Sequence, residues 1–363
     1  MAKSLNEPYV GGTVTIDREA LVAEHDPILQ ERLTRLSETE FHLADGSLYR
    51  PPTMEEGRRI LDRLTMLAAD HIVANRFKSV VVPASGGADS TFMLAILRRA
   101  SDRVLEQEGR KVPIIGFTLP CTLQGDADYL DAMGRWACEL YADDYATVNV
   151  GPAHAAVLDE LFTLENIAMQ KSGEPLSSVV ETVNSDYPER EERVDRGNVA
   201  ARLRMVFSYG IAKRLGGAQC STDNLSEGYT GFWTLCGDEG TFKYIQGVLK
   251  GLEEPVLMAA AGIPSPFIVQ VETDGLGIAA GDIPQLYGAL FNAENPQTYY
   301  DVDRVIVADL GGSDFPDPLF PEIAAADHPV VRWNRRTEFK RDVFCLGRQQ
   351  LGLKALPGLP FAV

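Results

Sequence analysis

Val80-Val81-Val82-Pro83-Ala84-Ser85-Gly86-Gly87-Ala88-Asp89-Ser90 is the stretch that decides the fold. The apolar run at its start reads as a buried strand, and Thr91-Phe92-Met93-Leu94-Ala95-Ile96-Leu97 directly after it reads as a helix. Between the two, a pair of glycines lets backbone amides approach an anion closely, and the helix N-terminus adds its partial positive charge. Ser85 and Ser90 bring hydroxyl donors, and Asp89 stands where a carboxylate can hold the magnesium that travels with ATP. The loop therefore reads as a pyrophosphate cradle, against the plain alternative of a Gly-Gly turn. It lacks the lysine and the spacing of the P-loop of kinases and GTPases.

The same alternation continues outward. Upstream, Thr53-Met54-Glu55-Glu56 has capping-box spacing, and Ile60, Leu64, Leu67 and Ile72 continue one face, which predicts a helix to about residue 75. Downstream the pattern predicts strands over 112–119 and 147–150 and helices over 126–141 and 153–164. This order implies an α/β fold with a parallel sheet covered on both faces, with ligands at the carboxyl ends of the strands. The polar segment 170–192, broken by Gly173, Pro175 and Pro188, reads as a surface excursion. A long helix over about 195–215 follows and closes on Gly216-Gly217. Leu21, Ile28, Leu29, Leu33 and Leu36 recur at helical spacing, so residues 1–50 are expected to be an N-terminal extension with a surface helix, and 51–363 the catalytic domain.

Size and charge narrow the function. A chain of 363 residues, 45% hydrophobic, can bury one large core or two smaller ones. A formal net charge of -18 argues against a nucleic-acid footprint and against anionic membrane surfaces, so nucleotide phosphates must be met by local positive groups. The five cysteines form no CxxC pair, which suits a reducing compartment and argues against a zinc site. No run approaches the length of a membrane span, and a cytoplasmic location is expected.

A second constellation lies downstream: Asn198-Val199-Ala200-Ala201-Arg202-Leu203-Arg204-Met205, then Ser221-Thr222-Asp223-Asn224-Leu225-Ser226-Glu227, then Gly231-Phe232-Trp233-Thr234 and Gly237-Asp238. Asn198 and Arg202, four apart, share a helix face and make Arg202 the expected anion contact, whereas Arg204 points elsewhere and reads as a surface arginine. Thr222 and Glu227 fall at the ligand edge of the sheet, where Glu227 can join Asp89 in a two-carboxylate magnesium site. The bland reading of Glu227 is a solvated charge at a helix end.

The Ser85–Ser90 loop resembles the SGGxDS loop of the N-type ATP pyrophosphatases. The ordered series as a whole is similar to the NAD synthetases of the ammonia-dependent type, over roughly residues 55–345. The resemblance implies a Rossmann-like, adenine nucleotide alpha hydrolase-like sheet. It implies ATP held by Ser85, Gly86, Gly87, Asp89, Ser90, Gln124, Thr222 and Thr273, Mg²⁺ on Asp89 and Glu227, and catalysis by these two with Lys250. For the acid substrate it implies Arg202, the positions of Leu235, Phe242 and Phe339, and Lys340. The basic residues of 332–341 resemble the family's mobile C-terminal segment, so a lid is expected near 332–345, with a solvated basic patch as its alternative.

The implied chemistry is a ligation in which a carboxylate attacks the α-phosphorus of ATP, pyrophosphate leaves, and ammonia then displaces AMP from the acyl-adenylate. Free ammonia or a separate glutaminase would supply nitrogen, and a homodimer is expected. The departures from the family pattern gather on the acid side: Leu235 replaces a lysine, Phe242 an aspartate and Phe339 a histidine, while Thr118 replaces an arginine on the ATP side. Two or three lost hydrogen bonds to charged groups would weaken a ligand by roughly a thousandfold. Neighbours such as Lys243 and Lys340 take over those contacts, or the acid differs from deamido-NAD. A nucleotide-binding protein without turnover is the remaining alternative.

Overall fold

The computed structural model describes residues 14–121, 127–162, 169–171, 173–175, 189–237, 239–269, 298–311 and 328–341. Its centre is a parallel sheet of β3 (Val80–Pro83), β4 (Ile114–Thr118), β5 (Asp144–Thr147) and β6 (Ala218–Gln219), in the order β5-β4-β3-β6. Val80, Val81 and Val82 are wholly buried, as a strand with partners on both edges and helices on both faces requires. Helices α2 (Met54–Ala74), α3 (Ala88–Glu108) and α4 (Ala127–Tyr141) pack together over one face, while α5 (Gly151–Phe162) and α6 (Glu189–Arg214) pair on the other. Strand order reverses at β3, so the carboxyl ends of β3 and β6 flank a topological switch point.

The predicted elements are all present, with informative shifts. The capping box is made: Thr53 Oγ1 accepts from the Glu56 amide at 3.3 Å, and Glu56 Oε2 accepts from the Thr53 amide at 2.8 Å. The buried face of α2 differs from the expected one. Gly57, Leu61, Thr65, Ala68, Ala69 and Ile72 face inward, whereas Ile60 and Leu67 are exposed. Small residues win that face because α8 (Glu254–Ala260) lies close against it, with Val256 Cγ1 at 3.3 Å from where a Gly57 Cβ would be. β5 comes three residues earlier than predicted. It is a mostly exposed edge strand, in register from Ile115↔Asp144 to Thr118↔Thr147, so its pairing and not its hydrophobicity defines it.

Residues 18–50 are built into the body. Helix α1 (Arg18–Ser37) lies along α9 (Ser265–Val269), and the buried Arg32 donates to the carbonyls of Ile268 at 2.8 Å and Val269 at 2.7 Å. A short antiparallel pair, β1 (Phe41–His42) with β2 (Leu48–Tyr49), brings Phe41 and Tyr49 against a second apolar cluster. That cluster joins α7 (Leu225–Thr230), α10 (Tyr299–Leu310) and α11 (Pro329–Arg336) through Tyr229, Val302, Val305, Ile306, Val330 and Val331. Among the described residues no helix is long and apolar enough to cross a membrane.

Candidate active site

Where β3 ends, the chain turns through Gly86 at φ 84, and Gly87 is the N-cap of α3. A side chain at Gly86 would collide with the Leu130 carbonyl of α4, so both the left-handed backbone and the close helix approach require glycine. Ser85 Oγ accepts from the Gly87 amide at 3.2 Å and pairs with Ser90 Oγ at 3.0 Å, while Ser90 and Thr91 hydroxyls donate to the Gly87 carbonyl. No side chain caps α3, which leaves first-turn amides of a 21-residue helix open to an anion.

The charges converge on this helix start. Lys250, its side chain 2% exposed, donates from Nζ to Asp89 Oδ2 at 2.9 Å and to Glu227 Oε1 at 3.1 Å. Asn224 Nδ2 donates to Asp89 Oδ1 at 2.7 Å. Asn224 and Glu227 also form the capping box of α7, with the Glu227 amide donating to Asn224 Oδ1 at 2.9 Å and the Asn224 amide to Glu227 Oε2 at 3.3 Å. Glu227 is thus no solvated helix-end charge. The α7 cap aims its carboxylate at the same ammonium that Asp89 meets, and the Tyr299 ring lies 4.7 Å from that ammonium.

Negative charge exceeds positive at this point. Glu254 is wholly buried beside Asp89 and Lys250. Burial, then the neighbouring Asp89 and Glu227, push Glu254 well above the carboxylate range. Burial also raises Glu227, with Lys250 opposing and Asp89 and Asp223 adding to the rise. Burial on its own would lower Lys250, but Asp89 and Glu227 hold it well above the ordinary lysine value. Asp223 accepts from Lys243 Nζ at 3.3 Å and from Ser221 Oγ at 2.8 Å. Thr222, between these two, sits half-buried at the carboxyl end of β6.

The residues fit a magnesium ion that enters with nucleotide. Asp89 and Glu227 are hard oxygen donors that already share one cation, the Lys250 ammonium. Among the described residues no group of three or more His, Cys, Asp or Glu is arranged to hold a metal by itself.

The expected acid-side residues are more scattered. Arg202 and Leu235 do come together: Arg202 Nε donates to the Leu235 carbonyl at 3.2 Å, and both residues are exposed or nearly so. Asn198 Oδ1 accepts from Thr234 Oγ1 at 2.7 Å, which ties the same loop to α6. Phe242 is a correction to the expectation. It extends β6 through a bridge to Cys220 and is 5% exposed, packed on His71, Phe77 and Tyr244 in the core. Arg204 is another: its Nε donates to the Leu119 carbonyl at 3.0 Å, fastening α6 to the end of β4, so it is no ordinary surface arginine.

Lys340 ends a short 3₁₀ turn, Glu338–Lys340, and donates to the carbonyls of Gly231 at 2.8 Å and Trp233 at 2.6 Å. Arg341 reaches the carbonyls of Gly228 at 3.2 Å and Tyr229 at 3.0 Å, and Thr337 Oγ1 that of Thr230 at 3.1 Å. These groups satisfy carbonyls at the C-terminal end of α7 and just beyond it, and residues 342–345 of the expected lid lie outside the described residues. Gln124 and Thr273 lie outside the described residues, and so does the side chain of Phe339. Sequence reasoning missed Asn224, Glu254 and Asp303. Of these, Asn224 carried a signal, the Asn-x-x-Glu capping-box spacing to Glu227.

A family model described as NAD synthase matches residues 157–285. An NH(3)-dependent NAD(+) synthetase of Pseudomonas aeruginosa is 31% identical over 268 residues, 73% of this chain and 82% of that protein. One of Levilactobacillus brevis is 30% identical over 227 residues, 62% of this chain and 72% of its own. In three dimensions the chain is similar to an NMN synthetase of Francisella tularensis, with TM-score 0.56 and 19% identity over 82% of this chain and 99% of that one. It is also similar to an NAD+ synthetase of Burkholderia pseudomallei, with TM-score 0.53 and 21% identity over 91% and 99%. These two support the fold. With the glycine cradle, the carboxylate pair and relatives matched over most of their length, this chain belongs to the NAD synthase family.

Proposed function

We propose that the protein is an ammonia-dependent, AMP-forming carbon-nitrogen ligase that converts deamido-NAD, ATP and ammonia to NAD, AMP and pyrophosphate. The single observation that carries the reading is the Lys250 ammonium held between Asp89 and Glu227 at the uncapped start of α3. The named relatives supply the substrate class.

In this reading the substrate carboxylate attacks the α-phosphorus, and the bond to the β-phosphate oxygen breaks. Amides of the Ser85–Ser90 loop and the α3 N-terminus receive the leaving pyrophosphate, and Lys250 offers a fixed cation where charge develops. Ammonia then attacks the acyl carbon, AMP departs with one oxygen of the original carboxylate, and a proton is released. Asp89 and Glu227 would hold magnesium, whose chemistry there is neutralisation of phosphate charge. Arg202 beside Leu235 is the proposed contact for the acid.

We further propose a homodimer. Its support is the exposed apolar surface of α6, where Val206 is 67% and Tyr209 41% exposed. Incubating the protein with deamido-NAD, ATP, magnesium and ammonium tests the function. Equal amounts of NAD, AMP and pyrophosphate are expected, and pyrophosphate release without NAD would sink it.

A further inference from the structure

Lys250 belongs to no helix or strand, yet its ammonium is fixed to two carboxylates, so the backbone of its turn must itself be held. Three consecutive amides are tied there. The Lys250 amide donates to Ser226 Oγ at 2.9 Å, and those of Gly251 and Leu252 donate to Asp303 Oδ2 at 2.6 and 3.1 Å. Ser226 Oγ donates in turn to Asp303 Oδ1 at 2.5 Å. Asp303 comes from α10, far along the chain, and both it and Ser226 are wholly buried. A side chain at Gly251 would collide with the backbone of Tyr299 and Tyr300, so the turn lies flat on the start of α10.

A buried carboxylate is a poor route to stability, since desolvation offsets much of what its partners return. Burial, with a smaller push from Glu253, raises Asp303 to about 7 against its three donors. Three donors on one carboxylate are, by contrast, a good way to fix a turn, because any slip leaves a buried acceptor unpaired. Ser226 also immediately precedes Glu227, so the same contact fixes the helix that carries the second carboxylate of the site.

We infer that Asp303 is a positioning residue for the ligation: through Ser226 and the 250–252 amides it holds Lys250 and Glu227 in register before ATP arrives. The inference rests on the site reading proposed above and goes beyond it, since Asp303 touches no reacting atom.

The test compares Ser226→Ala and Asp303→Ala with Asp303→Asn, which keeps the volume and one acceptor oxygen. Val305→Ala, a core truncation on the same helix, leaves these bonds intact. Two readouts are taken at matched loss of melting temperature: kcat and the ATP KM per folded enzyme, and the rate at which acetic anhydride labels Lys250, followed by mass spectrometry without substrates. Ser226→Ala and Asp303→Ala are expected to lower kcat about tenfold or more, the size of effect a displaced catalytic group produces, with a smaller change in KM. Lys250 labelling should rise about tenfold, in line with local opening of the turn. Asp303→Asn should recover most of both, and Val305→Ala should move neither. Ser226→Ala behaving as Val305→Ala does in both readouts overturns the inference, and decides it even if Asp303→Ala fails to fold. Failure of the function reading would show instead in the wild-type protein, while the labelling comparison still stands.

Discussion

The floor of the site and its rim are built in opposite ways. On the floor, Lys250, Asp89 and Glu227 have side chains no more than 16% exposed, and each charge is gripped by groups from the ends of different strands and helices. On the rim, Arg202, Leu235 and Cys236 are exposed, and the loop that carries the last two is held mainly by backbone carbonyls accepting from Arg202 and Lys340. In the proposed reaction, phosphate handling would be preorganised in a low-dielectric setting, where fixed charges act strongly, and acid selection would rest on a solvated surface that tolerates change. The exposed Leu235 fits such a rim, whereas the buried Phe242 belongs to the core and stands outside the comparison.

The largest expected effect tests the floor. Asp89→Asn or Lys250→Met should cut AMP formation by about a thousandfold, the scale seen when a fixed charge is removed from a dry site. Activity within tenfold of wild type would erase the contrast with the rim. Gly86→Ala comes next, because it forces a side chain into a left-handed position against the Leu130 carbonyl. Denaturant unfolding should show a loss of about 2 to 4 kcal/mol, and an unchanged midpoint would contradict the cradle geometry.

Rim variants should be milder. Arg202→Ala should raise the KM for the acid by about tenfold to a hundredfold, the equivalent of one hydrogen bond to a charged group, and leave kcat nearly intact. A loss in kcat equal to that of Lys250→Met would make Arg202 part of the floor.

The smallest effect sharpens the account of charge excess. Glu254 is raised in the folded protein, so the native state keeps a proton that the unfolded chain releases above its ordinary value of 4.5. The contribution of Glu254 is present below that value and is lost as pH rises toward the raised one. Melting curves across pH should therefore show Glu254→Gln gaining on the wild type as pH increases, by about 3 °C in all. A constant gap would mean that Glu254 is not the strained group.

Much of the fold was legible because single-residue signals carry it: three buried valines, a glycine pair, a Thr-x-x-Glu cap and the Gly216 stop. β5 was displaced because an exposed edge strand is defined by its neighbour and not by its own apolarity. Asp89, Glu227 and Lys250 were readable as types at an expected edge, but nothing local told that one lysine joins the two carboxylates. Asp303 left no trace in the sequence, since an aspartate among the residues of an amphipathic helix reads as a surface charge until its burial is known. Phe242 misled for the reverse reason: its alignment with a family substrate residue said nothing of the aromatic cluster that holds it.

The most direct measurement follows oxygen. With both carboxylate oxygens of deamido-NAD labelled with oxygen-18, and ATP, magnesium and ammonium supplied, each AMP formed should carry one labelled oxygen and the pyrophosphate none. Label in pyrophosphate, or AMP free of label while NAD accumulates, would contradict attack of the acid on the α-phosphorus held above Asp89, Glu227 and Lys250.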